Sequence, residues 1–256
     1  MKTIISRADR EVFFARLDAL LDTNGMSRYA DAKAKERLFE LAVLLTEYNA
    51  HTNLTAITDI DGVIVKHFID SMTLIPQLDD FAGDRQLTLA DIGCGAGFPS
   101  LPIAILRPQF SVTCVDSTAK KLEFIRLTAK ALALDNVTVL CARAEELAHT
   151  EKRETFDVVT ARGVARLNIL SELCLPLVRI GGAFIPMKAS MADEELNEAH
   201  KAISLLGGEV CSRHEVTLSG LVEPEVRTSF VIKKAAPSQK LYPRLFGAIK
   251  KKPLGL

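Results

Sequence analysis

Over residues 1 to about 80, apolar positions recur at helical spacing. Val12, Phe13, Leu17, Leu20 and Leu21 form one stripe, and Leu38, Leu41, Ala42, Leu45 and Tyr48 form a second. The polar run from Asn49 to Asn53 ends the second stripe, because short polar side chains compete for backbone hydrogen bonds. A third helix is predicted from near Asp61 to Leu74, stopping before Pro76. After Asp84 the period changes. Short apolar runs at 87–92, 111–115, 137–140, 156–159 and 182–185 read as strands, with helical stretches at 118–134, 167–178 and 191–206 between them. Strands alternating with helices predict an α/β fold: a Rossmann-like, mostly parallel sheet with helices on both faces. Two last strands, 209–218 and 228–232, have no helix between them and predict an antiparallel C-terminal hairpin at the sheet edge.

This pattern divides the 256 residues into a helical N-terminal region (1–84) packed on the core, a sheet domain (85–236) and a C-terminal tail (237–256). No apolar run reaches the ~20 residues of a membrane span, and Met1 to Arg7 lack the apolar stretch of a secretory signal, so a cytoplasmic protein without membrane partners is expected. The five cysteines are far apart and never in a Cys-x-x-Cys pair, which fits reduced thiols and neither a disulfide framework nor a metal site. Basic and acidic residues balance at 32 each, yet unevenly: from Val226 onward there are eight basic residues and no acidic one. A basic end on an acidic body suits a polyanion, although solvated charge explains it as well.

The chemistry concentrates where strands end. The first strand runs into Asp91-Ile92-Gly93-Cys94-Gly95-Ala96-Gly97-Phe98-Pro99, whose glycines allow a sharp turn and bare backbone against a ligand. Spacing as Gly-x-Gly-x-Gly, preceded by an acid, disfavours a pyrophosphate and suits a ligand carrying an amino group and a sulfonium, as S-adenosylmethionine does. Asp116 ends the second strand, where a carboxylate can accept both ribose hydroxyls or cap the following helix. Arg143 with Ala144 and Glu145 follows the third strand, and Arg162 ends the fourth. Four such residues on one sheet edge point to a binding site there.

These residues resemble a known family. Asp91 to Pro102, Val115-Asp116-Ser117, Arg143-Ala144-Glu145, Thr160 to Ala165 and Met187-Lys188 are similar to the bacterial small-subunit ribosomal RNA guanine-N7 methyltransferases, the glucose-inhibited division protein B family. So are Asn53 to Ile57, His67 to Ser71, Tyr242-Pro243-Arg244 and Lys252-Pro253-Leu254. The resemblance implies a class I methyltransferase sheet, S-adenosylmethionine as cofactor, and small-subunit ribosomal RNA or the 30S particle as partner. It implies that Gly93, Phe98, Ala144, Glu145 and Arg162 line the cofactor site. The strand-end argument adds Asp91, Gly95 and Asp116. On the RNA side stand Arg143, Lys188, Arg227, Arg244, Lys250, Lys251 and Lys252, with Arg162 and Lys188 nearest the target base.

Guanine N7 has a lone pair and no proton, so its methylation calls for alignment rather than an acid or a base. No catalytic residue in the acid–base sense is expected, and His67 reads as a packing residue as readily as a functional one. Other readings remain open at this point: a small-molecule methyltransferase, or a ribosome-assembly factor that keeps the pocket without using it.

Overall fold

The computed structural model describes residues 4–189 and 191–255. Seven strands form one sheet in the order β3-β2-β1-β4-β5-β7-β6. They are β1 (Thr88–Ile92), β2 (Ser111–Asp116), β3 (Val137–Cys141), β4 (Phe156–Arg162), β5 (Val178–Lys188), β6 (Gly208–Leu218) and β7 (Glu225–Lys234). Strands β1 to β5 pair in parallel, and β7 pairs antiparallel with both β5 and β6. The order reverses between β1 and β4, and open α/β sheets bind ligands at such a switch point.

Alternation along each strand sends neighbouring side chains to opposite faces. Leu89 of β1 joins a cluster with the N-terminal helices, while Ala90 and Ile92 join the cluster on the other face. The first face is covered by helices Arg10–Thr23 and Ala32–Thr52, by the helical run 60–72, and by helices Ser100–Leu106 and Ala119–Ala131. The second is covered by helices Leu167–Cys174 and Ala192–Leu205. The N-terminal helices thus share a core with the sheet.

The helix boundaries differ from the sequence reading in instructive places. The helix expected to stop before Pro76 is followed at once by another, Ile75–Ala82, with Pro76 in its first turn. There a missing N–H costs nothing, because the first turn has no acceptor for it. The run before it takes a π-helical course over Ile64–Ile69. A helix read as 167–178 ends at Cys174, where Pro176 brings in a 3-10 turn, and β5 begins earlier than its apolar segment suggested. Helix Ser100–Leu106, buried at every position, lacks the two-faced pattern that would have announced it.

The C-terminal segment is folded back across the second face. Arg153 donates to the carbonyls of Ser238, Gln239 and Tyr242, and His149 Nε2 lies 2.8 Å from the Pro243 carbonyl. Lys234, fully buried, donates to Leu175 O and Leu206 O and pairs with Ser238 Oγ. Burial pushes its ammonium down to about 8, and Glu154 opposes the shift. Arg244 forms a bidentate pair with Glu172, at 2.7 and 2.8 Å, and Glu172 is completely buried. Its Nη2 also reaches the Lys252 carbonyl at 3.0 Å, tying down the end of helix Phe246–Lys251. Arg244 is thereby committed to holding the tail, and Ile249 is buried beneath it.

Removing one member of such a pair strands a buried charge. Arg244→Ala should cost roughly 3–5 kcal/mol of unfolding free energy and expose residues 237–255 to proteolysis, while Glu172→Leu added to it should recover most of the loss. Denaturant titration with mass mapping of the cleavage products checks both.

Candidate functional site

Two cavities open at the carboxyl ends of the strands and share the wall Gly163–Val164. The first has a volume of about 360 Å³ and runs from Gly93 and Asp116 to Ala144 and Glu145. The second, of about 720 Å³, is lined by His67, Asp70, Arg162, Lys188, Glu195 and Arg227. A third groove, lined by Arg28, Lys33, Arg37 and Arg107, lies at the opposite edge of the sheet, beside the start of β2.

The first cavity is shaped by backbone. Gly93, Gly95 and Gly97 all have positive φ, at 70°, 56° and 87°, which the turn out of β1 requires. A side chain at Gly93 would collide with Val164, whose Cγ2 stands 2.5 Å from a notional Cβ. At Gly95 a Cβ would meet only the Gly93 carbonyl, 4.0 Å away, so that position opens into free space. Gly95 N donates to Asp116 Oδ2 at 3.1 Å and Thr118 N to Asp116 Oδ1 at 2.8 Å. Asp116 is thus fixed from both sides, and each oxygen keeps lone-pair capacity for a further donor. It does not cap the next helix, whose N-cap is Thr118.

Asp91 stands elsewhere. It shares its strand face with Leu89, and its Oδ2 accepts from Ser100 N at 3.3 Å at the head of helix Ser100–Leu106. Its side chain therefore reaches the helix behind the glycine turn and not the wall of either cavity. It is fully buried and its Oδ1 has no hydrogen-bond partner among the described residues. Burial pushes its carboxyl up to about 6, against partial relief from Ser100 and Arg162. Phe98 is also off both walls: its ring stacks on His67, with centroids 4.4 Å apart and planes 11° apart, and Arg162 lies over it at 5.6 Å.

The second cavity is held by charge. Arg162 Nη1 donates to Asp70 Oδ2 at 2.7 Å and to the Lys66 carbonyl at 3.0 Å, on the π-helical segment. Arg227 Nε lies 3.2 Å from Asp70 Oδ1, and its Nη2 donates to Glu225 at 2.6 Å. Lys66 completes the set by pairing with Glu225 at 2.5 Å. Lys188, expected at a solvated edge, is largely buried, with Nζ on the Ala165 carbonyl and on Glu195, each at 2.6 Å. His67 Nε2 lies 3.0 Å from Thr55 Oγ1. Burial and the neighbouring Arg162 hold its imidazole down at about 3, so it is neutral at working pH.

The residues read as cofactor-binding thus separate. Gly93, Asp116, Ala144 and Glu145 line the first cavity, Arg162 lines the second, and Asp91, Gly95 and Phe98 support the turn between them. Of those read as RNA-binding, Lys188 and Arg227 line the second cavity, while Arg143 faces the first. Lys250, Lys251 and Lys252 are exposed at the end of the last helix. Sequence reasoning missed Val164, Leu173 and Phe246 on the first cavity and Asp70 and Glu195 on the second. Asp70 lies in the His67–Ser71 run that carried the resemblance; Phe246 had no periodic signal at all.

Glycine turn, acidic strand end and switch-point cavity together define a methyltransferase of class I architecture. A solved structure described as a putative sarcosine dimethylglycine methyltransferase from Galdieria sulphuraria shares the fold, with TM-score 0.51 and 9% identity over 69% of this chain and 88% of that one. The family model for rRNA small subunit methyltransferase G (GidB) matches residues 34–220. Proteins named ribosomal RNA small subunit methyltransferase G are 44% identical in Lactobacillus helveticus, over 87% of this chain and 92% of the relative, and 45% identical in Geobacillus kaustophilus, over 93% and 98%. The chain belongs to the rRNA small subunit methyltransferase G family.

The Asp91 carboxyl generates a prediction with a defined sign. Its folded value, about 6, stands above its ordinary 3.8, so the native state binds the proton more tightly. Native stability therefore falls as pH rises from about 4 to 6. Asp91→Asn should raise stability at pH 7 by roughly 1–3 kcal/mol, a gain that shrinks as pH falls below 6. Thermal midpoints of both proteins between pH 4 and 8 test this; a pH-independent difference would refute it.

Proposed function

We propose that this protein transfers a methyl group from S-adenosylmethionine to N7 of a guanine in small-subunit ribosomal RNA. The observation that carries the reading is the junction of the two cavities at Gly163–Val164: one offers the Asp116 carboxylate and apolar wall, the other gathers Lys66, Arg162, Lys188 and Arg227 with their carboxylate partners. Residues of the first fit the cofactor by their chemistry. Asp116, held in part by Gly95 N of the glycine turn, offers two oriented acceptors for a ribose, and Leu173 and Val164 supply apolar wall. When bound, S-adenosylmethionine supplies an electrophilic methyl group on a sulfonium.

This chain's residues then bind and orient. The one imidazole lining the second cavity, His67, is held near 3 and is not poised as a base at neutral pH. That agrees with an acceptor atom that already carries a lone pair. A guanine presenting N7 also presents O6 beside it, an acceptor suited to a guanidinium. Arg162 is anchored through Nη1 alone, with its other donors unassigned among the described residues. Because side chains do not reach the major-groove edge of A-form RNA, the target base is taken from an unpaired or distorted site. Lys250, Lys251 and Lys252, exposed and unpaired with any acid among the described residues, are assigned to phosphates.

The test is methyl transfer from labelled S-adenosylmethionine to undermethylated small subunits, followed by mapping of the methylated base. Label in 7-methylguanine is expected; label on another base atom, or none, would refute the reading. S-adenosylmethionine should raise the thermal midpoint, by about 2.7 kcal/mol of stabilisation at a hundredfold excess over Kd, while NAD should not. A salt series addresses the lysines. Replacing Lys250, Lys251 and Lys252 with alanine should flatten the logarithmic salt dependence of RNA binding by about two units and leave cofactor affinity unchanged.

A further inference from the structure

The first cavity is not closed by the sheet domain alone. Its outer wall includes Phe246, the first residue of the last helix, 26 residues beyond the stretch matched by the family model. Everything around that ring fixes it. Arg244, two residues earlier, is clamped to buried Glu172, and Ile249, three residues later, is itself buried. The Arg143 guanidinium sits 4.9 Å from the ring centroid, held there by a 2.5 Å bond from Nε to Glu145, whose side chain is buried. Glu145 and Ala144 line the same cavity, beside Asp116. Phe246 is half-buried, and both its ring and the Arg143 guanidinium over it line the cavity, so a flat aromatic surface with a fixed cation beside it stands in the wall.

We propose that Phe246 is the stacking surface for the adenine of S-adenosylmethionine, with Arg143 as the residue that positions the ring. This rests on the cofactor reading above. Asp116 takes the ribose at one end of the cavity, which leaves the base toward Ala144, Glu145 and Phe246. The heterocycle is flat and apolar on its faces, and base–aromatic stacking contributes enough that losing the ring weakens binding by about tenfold or more. Arg143, read from sequence as an RNA contact, is in this assignment turned inward to the cofactor. The C-terminal segment becomes part of the cofactor site.

The absence of tryptophan from the chain makes a direct test available. Phe246→Trp introduces a single tryptophan at the proposed surface. Titration with S-adenosylmethionine, and with adenosine alone, should quench its fluorescence saturably; methionine should not. The midpoint for S-adenosylmethionine should agree with the Kd from calorimetry on the same variant. Phe246→Leu keeps an apolar plug that anchors the helix but removes the flat face. It should keep the unliganded thermal midpoint and lose about tenfold in affinity, whereas Phe246→Tyr should bind as the wild type does. Calorimetry on the unaltered protein separates the two claims. If the wild type does not bind S-adenosylmethionine, the cofactor reading fails. If it binds, but Phe246→Leu binds equally well or the tryptophan is not quenched, the stacking assignment is wrong and Phe246 only anchors the helix.

Discussion

The geometry of the second cavity depends on one buried carboxylate. Asp70 is 3% exposed and sits where the N-terminal helical run, the end of β4 and the start of β7 converge. One of its oxygens holds Arg162 and the other faces Arg227, so elements far apart in sequence are tied at a single point. Glu225 then joins Arg227 to Lys66, and these cations hold the Glu225 carboxyl below its usual range. Three cations against two carboxylates leave the network one charge positive. Buried ion networks contribute little net stability compared with apolar packing, because desolvation offsets most of the attraction. What this one contributes is position: two arginines that would otherwise sample many rotamers are fixed at the mouth of the second cavity. Without Asp70 the cavity would keep its cations and lose their arrangement.

The sheet separates two tasks by the parity of its residues. On β1, Ile92 points to the face that carries the first cavity, while Asp91 points to the other face and to helix Ser100–Leu106. On β4, Arg162 follows the parity of Thr160 and Val158 and enters the second cavity. The two cavities therefore approach the strand ends from opposite faces and meet only past the last residue of β4, at Gly163–Val164. A transfer that needs no proton is suited to such a junction, since alignment is the main demand on it. The titratable groups nearby agree: His67 is held near 3, and the hydrogen bond with Cys114, with burial, pushes the Cys94 thiol up, so neither is poised to exchange a proton at neutral pH.

How much of this the sequence disclosed follows from which forces have a local signature. The alternation of strands and helices is written in periodicity, and the sheet, its parallel run and its antiparallel C-terminal hairpin were legible from it. That Gly93, Asp116, Ala144 and Glu145 would meet at one sheet edge was legible, because strand ends in an open sheet are forced there. Asp91 was placed at that edge too, but its facing depends on a one-residue parity, and its side chain lines neither cavity. Helix Ser100–Leu106 was hidden by being buried on all sides, and helix Ile75–Ala82 by a proline that its first turn tolerates. The ion pairs around Asp70 join positions 92 and more residues apart, and no pattern along the chain records them. The tail was least legible. Its charge suggested solvated lysines, but its docking rests on Arg153 and Glu172, each remote in sequence from what it binds, and on Lys234, buried against the Leu175 and Leu206 carbonyls.

That docking gives helix Leu167–Cys174 a role that neither cavity shows alone. It begins just after the Gly163–Val164 wall, Leu173 near its end lines the first cavity, and Glu172 beside it holds Arg244. Arg244 in turn fixes both ends of the short helix that presents Phe246 at its start and the exposed lysines at its finish. One rigid element thus links the wall between the cavities, the aromatic face of the first and the basic end of the chain. Small displacements cost rate steeply when a reaction depends on alignment. Under the proposed assignment of these lysines to phosphates, an RNA bound there is referred, through Arg244 and Glu172, to the frame of the first cavity. The basic end, which from composition could be a free polyelectrolyte, is in the folded protein a fixed outrigger of the catalytic edge.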